Sequence, residues 1–148
     1  MFKTILVPTD GSTLADEAIH AAVEFAKESD GYVVGLSVAE PYPFSPLSES
    51  AMTEECVHYE DQMLARARQN VQKVADAAKA MKVPCETVVE QSFSPYEKII
   101  DTARNMSCDV IFMASHGRKG LSELLLGSET QKVLAHSTIP VLVIRQNM

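Results

Sequence analysis

Residues 4–8 (TILVP) and 109–114 (DVIFMA) are short, nearly continuous apolar runs, and each is followed at once by a polar turn that contains glycine. Strands buried on both faces have this pattern, whereas a strand with one solvated face alternates apolar and polar residues. Comparable runs stand at 32–38 and 139–144, and a less apolar one, typical of a sheet edge, stands at 85–90. The pattern predicts five strands of a parallel sheet.

Amphipathic segments alternate with these strands. Apolar residues recur at helical spacing in 14–28, and a longer helix is predicted over 57–81, where apolar residues return every seven positions. Two further helices are predicted, one beginning at 94–97 (SPYE) and one at 128–137. This alternation implies right-handed crossovers and helices on both faces of the sheet. The fold class is therefore α/β, and the length predicts a single domain over 1–148.

Three of these helices carry residues that usually cap a first turn, whose backbone amides have no partner within the helix. Thr13 and Asp16 are expected to cap the first helix. Ser94 and Glu97 have the spacing of a capping box for the third helix. Ser128 is expected to cap the last helix.

The composition argues against several classes of function. Thirteen basic and twenty acidic residues give a formal charge of -7, and an acidic chain repels nucleic acid and anionic membranes. Residues 1–11 lack the pattern of a signal peptide, and no apolar stretch reaches the ~20 residues of a membrane span, so we expect a cytoplasmic protein. The three cysteines form no CxxC motif and have no histidine at zinc-ligand spacing. We expect neither a metal site nor a catalytic cysteine.

Two polar turns lie where a doubly wound sheet binds its ligand, beyond the carboxyl ends of the strands. The first is 8–12 (PTDGS), after the first strand, and the second is 114–120 (ASHGRKG), after the fourth. If these two strands are neighbours, both turns meet in one cleft. Asp10 can then accept a hydrogen bond from a ribose hydroxyl or from an amine of a base.

The second turn also has the features of a phosphate site. Gly117 and Gly127 allow backbone amides to approach a ligand closely, and Arg118 adds positive charge beside them. Ser128 and the amides of the next two residues lie at a helix N-terminus, which attracts anions. Together these residues favour a phosphate ligand over a carboxylate or a metal.

The same residues also allow plainer interpretations. Glycine-rich turns often bind nothing, residues 10–12 can simply cap the first helix, and Arg118 can be an ordinary solvated side chain. Neither GxxxxGK[ST] nor GxGxxG occurs, and no histidine has an evident partner that would make it a base. Phosphate binding is favoured over these alternatives without excluding them, and we assign no catalytic residue.

The chain resembles the universal stress proteins over essentially its whole length. The resemblance lies in 5–12 (ILVPTDGS), 109–117 (DVIFMASHG), 124–128 (LLLGS) and 139–144 (IPVLVI). The spacing of the glycines follows the family's nucleotide-binding motif, Gly-x2-Gly-x9-Gly-(Ser/Thr). Matching pieces in the same order and at the same spacing make the resemblance specific.

The resemblance implies a Rossmann-like, adenine nucleotide α-hydrolase-like fold with five parallel strands in the order 3-2-1-4-5. The family has an ATP-binding subgroup and a subgroup that does not bind ATP, and we assign the chain to the first, with ATP as the ligand, Mg2+ as its companion, and AMP or ADP as related ligands. Asp10 and Val38 would contact the adenine, and Pro8 and Met113 would lie nearby. The other residues expected around the ligand are Thr9, Ala114, Ser115, His116, Gly117, Arg118, Gly127, Ser128, Glu129 and Thr130.

Two residues depart from the family pattern. Ala114 replaces the first glycine of the motif and adds one methyl group beside the ribose. Phe93 stands where many relatives have a glycine, two residues before Pro95. Because Gly117 and the pair that begins at Gly127 are retained, we expect nucleotide binding to survive.

We therefore expect an ATP-binding universal stress protein that acts as a nucleotide-responsive regulatory protein, with at most slow or partner-stimulated hydrolysis. The alternative is a nucleotide-independent dimeric interaction module for an unknown regulatory protein partner. The apolar strand 139–144 is expected at a sheet edge, where pairing with a second copy would give a homodimer. The proline-rich loop 39–51 is hypothesised to close over the site.

Overall fold

The computed structural model describes residues 2–43, 54–116 and 126–145. Strands and helices alternate along these residues, as the sequence pattern predicts. The elements are β1 (Thr4–Pro8), α1 (Thr13–Ser29), β2 (Tyr32–Ala39), α2 (Glu54–Ala80), β3 (Cys85–Gln91), α3 (Pro95–Asn105), β4 (Val110–Ala114), α4 (Ser128–His136) and β5 (Val141–Ile144). Among the described residues, no helix is long and apolar enough to cross a membrane.

The five strands form one parallel sheet in the order β3-β2-β1-β4-β5, which confirms the expected topology. The central strand β1 pairs with β2 on one side and with β4 on the other. Burial follows this order, since every residue of β4 is buried while the edge strands β3 and β5 are partly exposed. This explains why the runs at the sheet centre are the more continuously apolar.

The sheet has a separate apolar core on each face. Ile5 and Val7 of β1 pack with residues of α1 and α2 on one face. Leu6 of β1 packs with α3 and α4 on the other, because successive side chains of a strand point to opposite faces. Gly35 of β2 lets α2 approach closely, since a Cβ there would lie 2.9 Å from the side chain of Val74.

The connections that follow β1 and β4 create a topological switch point between these two strands. The chain leaves β1 towards α1 on one face and leaves β4 towards α4 on the opposite face. The two neighbouring strands therefore open a crevice beyond their carboxyl ends, which is where open α/β sheets bind ligands.

The predicted caps of α1 and α4 were wrong by one residue, whereas Ser94 occupies the predicted N-cap position of α3 without the predicted side-chain bond. In α1 the cap is Ser12, whose hydroxyl accepts a hydrogen bond from the Ala15 amide at 3.2 Å, and Thr13 is already helical. In α3 the side chain of Ser94 makes no capping bond. In α4 the N-cap position is Gly127, and Ser128 is the first helical residue.

Candidate functional site

The turn after β1 is held by its own polar side chains. The Thr9 amide donates to the Leu36 carbonyl of β2 at 2.8 Å, and the Thr9 hydroxyl accepts from the Gly11 amide at 3.1 Å. Asp10 is exposed, and its Oδ1 accepts from the Ser12 amide at 3.0 Å. Gly11 adopts a φ of 82°, a conformation that side chains disfavour. The turn is therefore rigid, with the Asp10 carboxylate at the crevice and engaged in the turn itself.

The turn after β4 is tied to both of its neighbours. The Ser115 amide donates to the Ile144 carbonyl of β5 at 2.8 Å, and its carbonyl accepts from the Gly127 amide at 2.7 Å. The Thr130 hydroxyl donates to the Ala114 carbonyl at 2.9 Å. Ser115 is 2 % exposed, and its Oγ lies 3.2 Å from His116 Nδ1. These bonds fix the end of β4 against the first turn of α4.

Gly127 is needed because there is little room for a side chain, and its backbone conformation does not require a glycine, since a φ of -62° is open to any residue. A Cβ at this position would lie 3.1 Å from the His116 Cα and 3.3 Å from the Ser115 carbonyl oxygen. These atoms belong to backbone that is itself hydrogen-bonded, so they give way only with difficulty. The glycine therefore allows the start of α4 to press directly on the end of β4.

The first turn of α4 has no side-chain cap among the described residues. Ser128 is exposed, while Glu129 and Thr130 direct their side chains into other bonds. Uncapped amides at a helix N-terminus form a binding position for an anion, since the helix dipole adds to their partial charge. The backbone amides at the predicted phosphate position thus have no side-chain cap, whereas the side chains of Glu129 and Thr130 bond to α3 and to the end of β4.

Glu129 is expected beside the ligand through its backbone amide, and its carboxylate reaches α3. Its Oε1 accepts from the Tyr96 amide at 3.1 Å, and its Oε2 pairs with Lys132 at 3.2 Å. This carboxylate takes the place of the missing Ser94 cap. Local sequence patterns could not predict the bond, because its two residues lie 33 positions apart.

The apolar end of the crevice lies on the α3/α4 face of the sheet. Met113 is buried there, and Val38, at the end of β2, packs partly buried against the same cluster. Pro8 ends β1 nearby, with Leu36 of β2 as its register partner. Pro8, Val38 and Met113 therefore stand at the carboxyl ends of three adjacent strands. Gly117 and Arg118 lie outside the described residues, as does most of the loop 39–51.

Two of the three cysteines, Cys85 and Cys108, lie at the opposite end of the sheet. Cys85 begins β3 and Cys108 precedes β4, whereas the crevice lies beyond the strands' carboxyl ends. Burial, with a smaller contribution from Asp109, raises the pKa of the Cys108 thiol to about 11. Burial also raises the pKa of Cys85. A protonated thiol is a poor nucleophile and a poor metal ligand. No metal-binding group of three His, Cys, Asp or Glu residues occurs in the described ranges.

A parallel sheet in this order, with a rigid turn after β1 and a glycine-dependent turn after β4, defines a Rossmann-like α/β domain with a switch-point site. The sequence model of the Universal stress protein family matches residues 1–145, and the chain belongs to that family. Universal stress protein MJ0531 of Methanocaldococcus jannaschii is 30% identical over 146 residues, which cover 99% of this chain and 84% of the relative.

Solved structures show the same fold. The solved structure of protein MJ0577, which was used to assign the biochemical function of that protein, aligns with a TM-score of 0.83 and 28% identity. The alignment covers 100% of this chain and 99% of that one. A universal stress protein family member from Arabidopsis thaliana, solved with AMP bound, aligns with a TM-score of 0.70 and 18% identity. That alignment covers 98% of this chain and 92% of the plant protein, and at this identity it speaks for the fold alone.

Proposed function

We propose that this chain binds ATP, or a closely related adenine nucleotide, in the crevice beyond β1, β2 and β4. In this proposal it acts as a nucleotide-responsive regulatory protein of the stress response. The observation that carries the proposal is the close packing of Gly127 on His116 beside the uncapped first turn of α4. A Cβ at Gly127 would fill the place where the two segments meet, so the local geometry depends on this glycine.

The phosphate end of the ligand would lie at α4. The amides of Ser128, Glu129 and Thr130 precede the first amide that donates within the helix, that of Gln131, and have no side-chain cap among the described residues. Phosphate oxygens are suited to this position, because several amides and the helix dipole act on them together. The chain is acidic overall, so a built local site is needed to hold a phosphate against the general repulsion.

The base would lie at the other end of the crevice. Val38 and Met113 offer an apolar surface at the ends of β2 and β4, which suits the flat face of an adenine. The Asp10 carboxylate beside them can accept from an adenine amine or a ribose hydroxyl. The rigid turn that holds Asp10 keeps this acceptor in place before the ligand arrives, which lowers the entropy lost on binding.

The ligands of relatives support an adenine nucleotide over other phosphates. The plant family member carries AMP, and a further universal stress protein, 21% identical to this chain, was solved in complex with cAMP. Both ligands share adenine and ribose and differ in their phosphates. The choice of ATP over AMP rests on the spacing of Gly117, Gly127 and Ser128, and Mg2+ would accompany ATP through its phosphates.

The proposed role is binding, with at most slow hydrolysis. Phosphoryl transfer needs a positioned nucleophile and charge stabilisation at the phosphates. In this proposal the Asp10 carboxylate serves the base end, and within the described residues the Glu129 carboxylate faces α3. Neither is placed to activate a water at the first turn of α4.

We further propose a homodimer formed through β5. This strand lies at the sheet edge, and Leu142 is 40% exposed on it. Leu134 on the neighbouring helix α4 is 43% exposed. Unpaired apolar edges of this kind are usually covered, and a second copy of the same edge covers both at once. Such a dimer is equally compatible with the second candidate function, a nucleotide-independent module that binds a regulatory protein.

Calorimetric titration of ATP into the wild type and the Gly127→Val variant tests the nucleotide proposal. The wild type should bind at micromolar concentration, and the variant should lose at least tenfold in affinity, because added bulk displaces the start of α4. Ala80→Val is the matched control, since it adds bulk at an exposed position at the far end of α2. Absence of binding heat in the wild type would favour the interaction module.

A further inference from the structure

The segment between β3 and α3 is fixed at both of its ends. After the last strand pair, the Ser92 amide donates to the Ala39 carbonyl of β2 at 3.0 Å. Four residues later the Tyr96 amide donates to the Glu129 carboxylate at 3.1 Å. Between them the Ser94 amide donates to the Ser92 hydroxyl at 2.9 Å, which bends the chain.

These bonds lead residues 92–96 along one side of the crevice. Ala39 follows Val38 directly, so the segment starts beside the apolar base end of the site. Glu129 stands in the first turn of α4, so the segment finishes beside the phosphate end. The segment therefore forms a wall of the crevice on the α3/α4 face, and its first half stands at the base end.

Phe93 stands in that first half and is 59% exposed. Among the described residues it is the most exposed of the large apolar side chains, and it is the aromatic one in that group. The backbone on both sides of Phe93 is hydrogen-bonded, so the position of this residue in the segment is fixed. An aromatic ring left in water at the mouth of an apolar site gains free energy when a flat ligand covers it.

We propose that Phe93 stacks on the outer face of the bound base, opposite the surface formed by Val38 and Met113. This inference rests on the proposed function and adds a residue to it. A stacking ring recognises the face of a base and not its hydrogen-bonding edge. Phe93 therefore raises affinity for ligands that carry a base, and discrimination among purines falls to other residues such as Asp10.

The chain contains no tryptophan, so a single substitution can report on this contact directly. In Phe93→Trp the indole is the sole one in the protein and occupies an exposed position that tolerates the larger ring. Titration with AMP should quench its fluorescence to saturation, because a base stacked on indole quenches it. Met81→Trp is the control, since Met81 is 37% exposed beyond the end of α2, on the side away from the crevice.

A second variant separates stacking from a structural role. Phe93→Ala should bind AMP about tenfold more weakly than the wild type does, in line with the loss of one stacked base. Its affinity for GMP should fall by the same factor. Its affinity for tripolyphosphate, which carries no base, should stay within twofold of the wild type. Equal losses for AMP and tripolyphosphate would overturn the proposal, because they would mean that the wall had moved.

Three further outcomes would also overturn it. If calorimetry detects AMP binding while Phe93→Trp fluorescence stays constant, the nucleotide proposal holds and the stacking proposal fails. If the fluorescence instead changes with protein concentration in the absence of nucleotide, the ring contacts another copy of the chain. If neither calorimetry nor fluorescence detects AMP, the proposed function fails, and the stacking proposal fails with it.

Discussion

The carboxylate of Glu129, in the first turn of α4, accepts a hydrogen bond from the backbone amide of Tyr96, in the first turn of α3, at 3.1 Å. One side chain thus caps a neighbouring helix and joins the N-termini of both helices beside the crevice. The Tyr96 ring strengthens the same junction, since Lys132 lies 5.5 Å from its centroid and the His136 ring 5.4 Å away.

The Glu129→Ala variant should be less stable by about 1 kcal/mol, the usual cost of removing a helix cap, with a small further loss from the exposed Lys132 ion pair. Urea unfolding measures this difference in the free energy of unfolding. Lys132→Ala removes the ion pair and the contact with the Tyr96 ring while leaving the cap, so it sets an upper limit on the contribution of the ion pair. Glu97→Ala serves as a second control, because that carboxylate contacts the Tyr96 hydroxyl at the surface. Equal stability of Glu129→Ala and Glu97→Ala would contradict the capping role.

Substitution of Gly35 by alanine should destabilise the fold by about 1–3 kcal/mol, the usual cost of overpacking a core. The added Cβ would lie 2.9 Å from the side chain of Val74, which is fully buried. In urea unfolding, the double variant Gly35→Ala/Val74→Ala should lose less stability than the sum of the two single variants. Additive losses would show that the two positions do not compete for the same space.

The stability of the protein should fall between about pH 9 and pH 11 in a way that depends on Cys108. The pKa of this thiol is raised from 9.0 to about 11 in the folded protein, first by burial and then by Asp109. Above about pH 9 the unfolded chain therefore releases this proton before the folded chain does, and the free energy of unfolding decreases.

Urea unfolding of the wild type and of Cys108→Ala at pH 7.5, 9 and 10 isolates this contribution from the other groups that titrate there. The stability of the wild type should decline relative to the variant as the pH rises. A constant difference between the two proteins across this range would show that Cys108 has an ordinary pKa.

The Leu142→Arg variant should sediment as a monomer under conditions in which the wild type sediments as a dimer. Leu142 is 40% exposed on the edge strand β5, and an arginine there would place two like charges across the proposed two-fold interface. Met81→Arg, which adds the same charge at an exposed apolar position just beyond the end of α2, should leave the mass unchanged. A wild-type monomer at micromolar concentration would exclude this interface.

The sheet could be predicted from the sequence because its signals are local and repeated. Runs such as 109–114 are apolar on both faces only when helices cover both faces of the sheet. The strands and their parallel arrangement therefore follow from the pattern of apolar residues. The crevice between β1 and β4 followed from the strand order that the family resemblance implies, because the residue pattern alone left open whether these two strands are neighbours.

The caps and the side-chain roles could not be predicted in the same way. Ser12 and Thr13 are both good capping residues, and the choice between them depends on which one has the extended backbone. Glu129 has the negative charge that is favoured at a helix N-terminus, yet its carboxylate turns to Tyr96 because α3 and α4 pack side by side. Such choices are made by tertiary contacts, which a local pattern does not contain.

The central claim is that an adenine nucleotide occupies the crevice between the carboxyl ends of β1 and β4. The most direct test is to denature the freshly purified protein and identify any released nucleotide by mass spectrometry, with the Gly127→Val variant treated in parallel. We predict that the wild type releases ATP, ADP or AMP in near-stoichiometric amount and that the variant releases little. Absence of nucleotide from the wild type, together with no binding heat on addition of ATP, would contradict the claim.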